Sequence, residues 1–203
     1  MKIPLPSIRS LREWASCLQM RRGILNDVFK VLEIVGAYMT PEEKIVVLGY
    51  DEMSVNGTIE LDRRNDDIVG PHKELQVVSA RRLFGKWKQP IFADFDQKMT
   101  KSILEQIITR LHDIGFSVVG NVHDCAGSNL SLWKTFGIEY AEKCFMHHPI
   151  TKKEIYFFPD APHLLKLMRN WLLDHGFLYK GNFQTVYICL LSKISFLFRK
   201  NNH

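Results

Sequence analysis

Apolar positions in the first 40 residues recur every three or four residues, which is typical of amphipathic helices. We expect a first helix to begin at Ser7 or Ser10, because serine is a favoured N-cap residue. A second helix is expected after Gly23, ending near Gly36. The predicted apolar stripes are Leu11, Trp14, Ala15 and Leu18 in the first helix, and Leu25, Val28, Phe29, Leu32 and Val35 in the second.

From residue 45 onward the pattern becomes that of extended chain. Residues 45–50 are apolar, rich in β-branched side chains and bounded by turn signals, which predicts a strand buried on both faces. The dipeptide Asn56-Gly57 is typical of a tight hairpin turn, so we expect residues 50–55 to pair with residues 58–61. A further strand is expected at residues 75–84, and residues 90–93 are a candidate for another.

Helices and strands alternate in the second half of the chain. Thr100 is predicted to cap a helix that ends at Gly115, and a strand at residues 116–122 follows it. The remaining predicted elements are a helix at 128–136, a strand at 154–158 and a helix at 161–175. Two helices followed by β-β-β-α-β-α-β-α predict an α/β fold with a mixed sheet flanked by helices, the element order of the ribonuclease H-like fold.

Composition narrows the class of protein. The 203 residues are 46% hydrophobic and 24% charged, as in soluble globular proteins, and no apolar run reaches the roughly 20 residues of a membrane span, so no membrane partner is expected. Four well-separated cysteines without a signal peptide indicate a reducing, intracellular compartment. The net charge is +5, and residues 151–203 contain eight Lys and Arg against three Asp and Glu. This basic end fits an acidic partner such as nucleic acid, or a solvated surface.

Two aspartates directly follow predicted strands. Asp51 comes after residues 45–50, and Asp124 comes after residues 116–122 and His123. If these strands are neighbours in the sheet, the two carboxylates converge and can bind Mg²⁺ or Mn²⁺, because hard cations prefer oxygen ligands. Two such ions can activate a water or a hydroxyl group against a phosphodiester. The alternative is that both aspartates are helix caps or turn residues.

Other candidate groups have structural interpretations. Glu52 points away from Asp51 if the strand continues, which indicates a surface or supporting group. His147 and His148 diverge in extended chain and have no third ligand nearby, so a structural or surface role is favoured. Cys125 has no evident base beside it, and we expect a buried thiol.

Two basic clusters are candidates for contacts with DNA. Lys86 and Lys88 flank Trp87, and cations interleaved with aromatic rings favour nucleic acid binding, although Trp87 can equally belong to the core. The second cluster is a polar stripe of His163, Lys166 and Arg169 on the last predicted helix. This stripe faces either nucleic acid phosphates or solvent. The opposite side of that helix is expected to face the core through Leu164, Leu165, Leu167, Met168 and Leu172.

Several motifs, in this order, resemble those of the P-element-type transposases, which include the THAP-domain transposases. The resemblance covers about residues 3–180. Its motifs are Pro4-Leu5-Pro6-Ser7 with Leu11 and Trp14, Tyr50-Asp51-Glu52-Met53, Gly70-Pro71, Lys86-Trp87-Lys88-Gln89-Pro90, Val122-His123-Asp124 with Asn129 and Leu132-Trp133, and Pro162-His163-Leu164-Leu165-Lys166 with Arg169-Asn170.

The resemblance implies a ribonuclease H-like catalytic domain that cleaves and joins DNA at transposon ends with Mg²⁺ or Mn²⁺. Three acids hold the metal ions in this family, and Asp51 and Asp124 match the first two. The third is a glutamate that follows a large inserted GTP-binding domain. Expected partners are DNA and either full-length transposase or a second copy of this chain, and the expected location is the nucleus.

The chain also departs from the family pattern. It begins after the zinc-coordinating DNA-binding domain, lacks the insertion and has no glutamate after Glu154, so GTP binding is not expected. We expect a helical lead-in at residues 1–43, a ribonuclease H-like domain at 44–180 and an unmatched tail at 181–203. A transposase domain that is impaired alone is the first hypothesis. The alternatives are a non-catalytic fragment that binds DNA or transposase, and an unrelated α/β enzyme.

Overall fold

The computed structural model describes residues 6–15, 21–63, 66–125, 127–139, 143–179 and 182–184. It divides into two units, Met1–Phe158 and Pro159–His203. The first contains a seven-stranded mixed sheet with helices, which confirms the predicted α/β fold class. No helix among these residues is long and apolar enough to cross a membrane.

The described part of the chain contains five α-helices, one short 3₁₀-helix (Glu42–Lys44) and eleven strands. The helices are α1 (Ile8–Ala15), α2 (Asn26–Gly36), α3 (Lys101–Asp113), α4 (Gly127–Thr135) and α5 (Ala161–His175). The strands are β1 (Gly23–Ile24), β2 (Ile45–Ser54), β3 (Glu60–Asp62), β4 (Asp67–Val69), β5 (Glu74–Arg82), β6 (Lys88–Phe95), β7 (Ser117–His123), β8 (Phe145–His147), β9 (Glu154–Pro159), β10 (Phe177–Tyr179) and β11 (Asn182–Gln184).

The order of strands in the main sheet is β1-β6-β5-β2-β7-β9-β8. Strand β2 lies in the middle, antiparallel to β5 and parallel to β7. A parallel pair needs a crossover connection, and the chain between β2 and β7 supplies it through β5, β6 and α3. The last residues of β2 and β7 therefore lie at the same edge of the sheet.

The helices follow their capping and periodicity signals closely. The Thr100 hydroxyl accepts the backbone N–H of Ile103 at 3.3 Å, and α3 begins at the next residue. Ser7 accepts the N–H of Ser10 at 3.1 Å and caps α1 in the same way. The predicted stripe of α2 is buried except for Val35, which is 41% exposed. Leu18, assigned to the first stripe, lies outside the described residues.

The predicted hairpin at Asn56-Gly57 is wrong. Neither residue has a positive φ, as that turn requires, and β2 instead pairs with β5 from Ser54 opposite Glu74 to Val46 opposite Arg82. Burial on both faces of β2 is also wrong, since fully buried and half-buried side chains alternate from Ile45 to Tyr50. The long antiparallel partner extends β2 to Ser54, beyond the end predicted from its apolar run.

The chain between β2 and β5 forms a separate ribbon of β3 and β4. Its base is closed where the N–H of Val55 donates to the carbonyl of Lys73 at 3.0 Å. Gly70 has a φ of 102°, and a Cβ at this position would lie 2.5 Å from the carbonyl oxygen of Thr58. Glycine is therefore required where the ribbon returns to the sheet.

One contiguous core holds the first unit together. Trp87 packs against it, with its ring stacked on Phe116 at a centroid distance of 6.0 Å, which supports the core interpretation of Trp87. The fully buried members of the core include Leu25, Val46, Leu48, Val78, Ile91, Leu104, Ile107, Ile108, Leu111, Phe116 and Ile155.

A buried histidine organises the turn between β8 and β9. The Nδ1 of His148 accepts two backbone N–H groups, from Ile150 at 3.0 Å and from Thr151 at 3.2 Å. Burial lowers the pKa of His148, and the charges of His112 and Lys152 lower it further. A proton on Nδ1 would remove both hydrogen bonds, so the fold favours neutral His148.

The stability of this chain should therefore depend on pH through His148. In the unfolded chain a histidine takes up its proton near pH 6.5, so between that pH and the lower folded pKa the unfolded state binds more protons. We expect the free energy of unfolding, measured by urea denaturation, to increase from pH 5 to pH 7. His148→Gln should reduce this slope by up to about 1.4 kcal/mol per pH unit.

The neighbouring His147 provides the control for that measurement, because it is exposed. His147→Gln should keep the wild-type slope. An identical pH dependence in wild type and His148→Gln would contradict the assignment.

Candidate active site

A small polar pocket of about 150 Å³ opens at the edge of the sheet where β2 and β7 end. Four of its six lining residues are acidic. The lining consists of Asp51, Glu52, Ser54, Glu74, Asp124 and Asn129.

The parallel register of β2 and β7 brings the two predicted aspartates to this pocket. Tyr50 pairs with His123. Asp51 and Asp124 are the next residues along the chain after this pair, so they lie side by side. The expected convergence of the two strands is thus observed. Asp51 does not end its strand as expected, because β2 continues to Ser54 against β5.

Two further carboxylates line the same pocket. Neighbouring side chains of a strand alternate between its faces, yet both Asp51 and Glu52 contribute to the lining of the pocket. Burial raises the pKa of Glu52, as do the negative charges of Glu74 and Asp124, while Lys98 opposes them. Glu74 had no signal in the sequence, since it becomes a neighbour only through the pairing of β5 with β2.

Aromatic side chains lie behind Asp124. His123 is buried, its ring is stacked on Tyr50 at 4.8 Å, and the indole N–H of Trp133 donates to its Nε2. Nδ1 must then carry the ring proton, which it donates to the backbone carbonyl of Asp124 at 2.7 Å. Burial lowers the pKa of His123 and raises that of Tyr50, so both groups stay neutral beside the carboxylates.

The donor set of the pocket suits a hard divalent cation. Mg²⁺ commonly uses one or two protein carboxylates and keeps several waters, and carboxylate oxygens are what Asp51 and Asp124 offer. Within the described ranges, no three His, Cys, Asp or Glu side chains are grouped so that they could hold a metal ion. The residues present therefore fit a cation held by few protein ligands and not a closed protein cage.

The two predicted lysines lie far from the pocket. Lys86 and Lys88 are exposed around the turn between β5 and β6, and that turn lies beside Val46 at the start of β2. Five residues of β2 separate Val46 from Asp51, or roughly 17 Å at about 3.3 Å per residue. The structure does not bring these lysines together with the aspartates.

The predicted basic stripe lies on α5, in the second unit. Asp160 caps this helix by accepting the N–H of His163 at 3.1 Å. Lys166 and Arg169 are exposed, and the Arg169 guanidinium donates to the amide oxygen of Asn170 at 2.8 and 3.1 Å.

The core side predicted for α5 is wrong, because no residue of the helix is buried. Leu165 and Met168 are 56% and 55% exposed. Apart from α5, the described part of this unit holds a two-stranded ribbon of β10 and β11.

Comparison with known proteins agrees with this fold. Residues 20–137 match the family model described as TNP-like, RNase H N-terminal domain. That range contains β2, α3, β7 and α4, and with them all six residues of the pocket lining.

The chain is also similar to transposases of two animals. It is 35% identical to the Transposable element P transposase of Drosophila melanogaster, over 98% of this chain and 27% of the relative. It is 25% identical to the human DNA transposase THAP9, over 84% of this chain and 21% of the relative. The chain thus spans about a quarter of the length of these relatives, and the first match includes almost all of the segment after residue 180.

A solved structure supports the same assignment. The Drosophila P element transposase strand transfer complex matches with a TM-score of 0.80 at 34% identity, over 89% of this chain and 40% of that one. The chain therefore belongs to the TNP-like RNase H N-terminal domain family, the ribonuclease H-like part of the P-element-type transposases.

Proposed function

We propose that this chain is the first part of the metal-dependent catalytic domain of a DNA transposase, acting on transposon ends. The observation that carries the proposal is the convergence of Asp51 and Asp124 on one polar pocket at the ends of β2 and β7. The similarity to a transposase whose structure was solved as a strand transfer complex supports DNA as the substrate. The proposed catalytic domain occupies residues 44–180, before a tail at 181–203, and the lead-in at 1–43 contributes β1 to the main sheet and α2 to the core.

Each part of the pocket has a role in this proposal. Ribonuclease H-like transposase folds generally use divalent metal ions, and we assign Asp51 and Asp124 as the ligands of Mg²⁺ or Mn²⁺. When bound, the ions supply Lewis-acid stabilisation of the phosphodiester and lower the pKa of a water or hydroxyl nucleophile. Buried His123 and Tyr50 keep solvent away from one side of Asp124.

The chain alone is proposed to be impaired as an enzyme. The resemblance places a third acidic ligand, a glutamate, after an inserted domain, and the sequence has no glutamate after Glu154. A metal ion held by fewer ligands is held less rigidly, and a misplacement of about 1 Å costs about 10²-fold in rate. Binding of DNA or of a full-length transposase, without catalysis, is the alternative activity that the two-aspartate pocket leaves open.

Metal binding tests the site directly. We expect Mn²⁺ to bind the wild-type chain in isothermal titration calorimetry, and Asp51→Asn and Asp124→Asn each to weaken binding at least about tenfold, because each removes one charged ligand. Asp113→Asn, at an exposed position at the end of α3, is the matched control and should leave the affinity unchanged. Equal affinities in all four proteins would refute the proposed metal site.

Plasmid nicking tests the impairment. With Mg²⁺ or Mn²⁺ and supercoiled plasmid, we expect the purified chain to nick no faster than Asp51→Asn. Efficient nicking by the wild type that is lost in Asp51→Asn would show that two aspartates suffice, and the impairment would be wrong while the metal site stood.

DNA is the proposed partner, contacted through the basic stripe of α5 and the cations of the β5–β6 turn, and the nucleus is the proposed location. No contact with a membrane and no GTP binding are proposed for this chain. A protein partner, either full-length transposase or a second copy, is proposed only for assembly on DNA.

Lys166 and Arg169 are exposed and lie three residues apart on the same helix, so both can contact phosphates.

The salt dependence of DNA binding separates these contacts. The double variant Lys166→Ala/Arg169→Ala should bind DNA more weakly and lower the slope of log K against log salt by about 2, because each phosphate contact contributes about 1. Lys86→Ala/Lys88→Ala should act similarly if the β5–β6 turn also contacts DNA. The control is Lys30→Ala/Lys134→Ala, at exposed positions outside both clusters. If a variant has the same slope of log K against log salt as the control, the cluster that it alters does not contact DNA.

A further inference from the structure

We infer that Asn129 is a positioning residue that fixes the Asp124 carboxylate for metal binding, an inference that rests on the proposed function. Its side-chain Nδ2 donates to Oδ1 of Asp124 at 2.7 Å, a short distance for an N–H···O bond. Asn129 is only 5% exposed and lines the same pocket. Packing against neighbouring protein atoms therefore restricts the side-chain amide of Asn129.

The helix that carries Asn129 holds Asp124 at two points. Asn129 is the third residue of α4, and Leu132 and Trp133 anchor that helix in the core. Trp133 donates to His123, whose Nδ1 in turn bonds the backbone carbonyl of Asp124. The same helix thus fixes the backbone of Asp124 through His123 and its carboxylate through Asn129.

An asparagine suits this position for electrostatic reasons. A donor to a carboxylate restricts its rotation, and each carboxylate oxygen keeps a second lone pair for another partner. The amide also adds no charge to a pocket that already contains four carboxylates. A carboxylate at residue 129 would add a fifth negative charge beside Asp124, and a lysine would compete with the cation.

The test compares two buried asparagines that belong to the same β7–α4 segment. Asn129→Leu removes the donor while nearly keeping the side-chain volume, and Mn²⁺ affinity should fall by about 10–100-fold, the usual effect of removing a group that orients a metal ligand. Asn121→Leu is the matched control. Asn121 is fully buried on β7, and its amide atoms have no hydrogen-bond partner in the described part of the chain, so this change should leave Mn²⁺ affinity unaltered.

Thermal unfolding without metal separates positioning from a purely structural role. A structural role for Asn129 would lower the melting temperature of Asn129→Leu but leave its Mn²⁺ affinity equal to that of Asn121→Leu, and this result would overturn the inference. If Asn129→Leu fails to fold, Asn129→Ala, which introduces no new bulk, gives the same comparison.

The outcomes also separate this inference from the proposed function. Mn²⁺ binding that is lost in Asp124→Asn but unchanged in Asn129→Leu or Asn129→Ala would overturn the inference alone. If the wild-type chain does not bind Mn²⁺, or binds it as tightly as Asp124→Asn does, both the inference and the proposed metal site would be overturned. Loss in Asp124→Asn together with a tenfold or greater weakening at Asn129 supports both.

Discussion

The parallel register between β2 and β7 is the constraint on which the pocket depends. A β-bulge shifts this register between Val46, which pairs with Val118, and Val47, which pairs with Gly120. Without the extra residue, Tyr50 would face Val122 and Asp124 would lie one residue further from Asp51. A shift of one residue also moves every later side chain to the other face of a strand. The bulge therefore places His123 beside Tyr50 in the core and Asp124 beside Asp51 at the edge.

Elements governed by local signals were predictable from the sequence, and non-local pairings were not. The Thr100 cap and the stripe of α3 lie within one segment, so the predicted helix and the observed one agree. The Asn56-Gly57 dipeptide is an equally strong local signal, but β2 gains more by pairing along its full length with β5. Tertiary pairing overrides turn propensity here, and no feature of residues 50–61 taken alone reveals it.

The same division holds within the pocket. Asp51 and Asp124 were predictable because each follows an apolar strand, and apolar strands show in the sequence. Glu74 reaches the pocket only through the antiparallel register of β5, and Asn129 through the position of α4, which Leu132 and Trp133 anchor in the core. Residues that act on a site from neighbouring elements leave no periodic signal, since their position is a property of the assembled sheet.

The carboxylates that the proposed chemistry needs also destabilise the end of the sheet where they meet. Four carboxylates around about 150 Å³ repel one another, and the raised pKa of Glu52 records both that repulsion and its burial. Under the proposed function, a divalent cation would offset this repulsion and would bind the folded chain in preference to the unfolded one, stabilising it by about 2.7 kcal/mol at 100 times the dissociation constant. The core that anchors α4 and the hydrogen bond from Asn129 hold the Asp124 carboxylate in place. A pocket in which carboxylates repel one another while the fold fixes their positions has the properties that a metal-dependent phosphodiester chemistry requires.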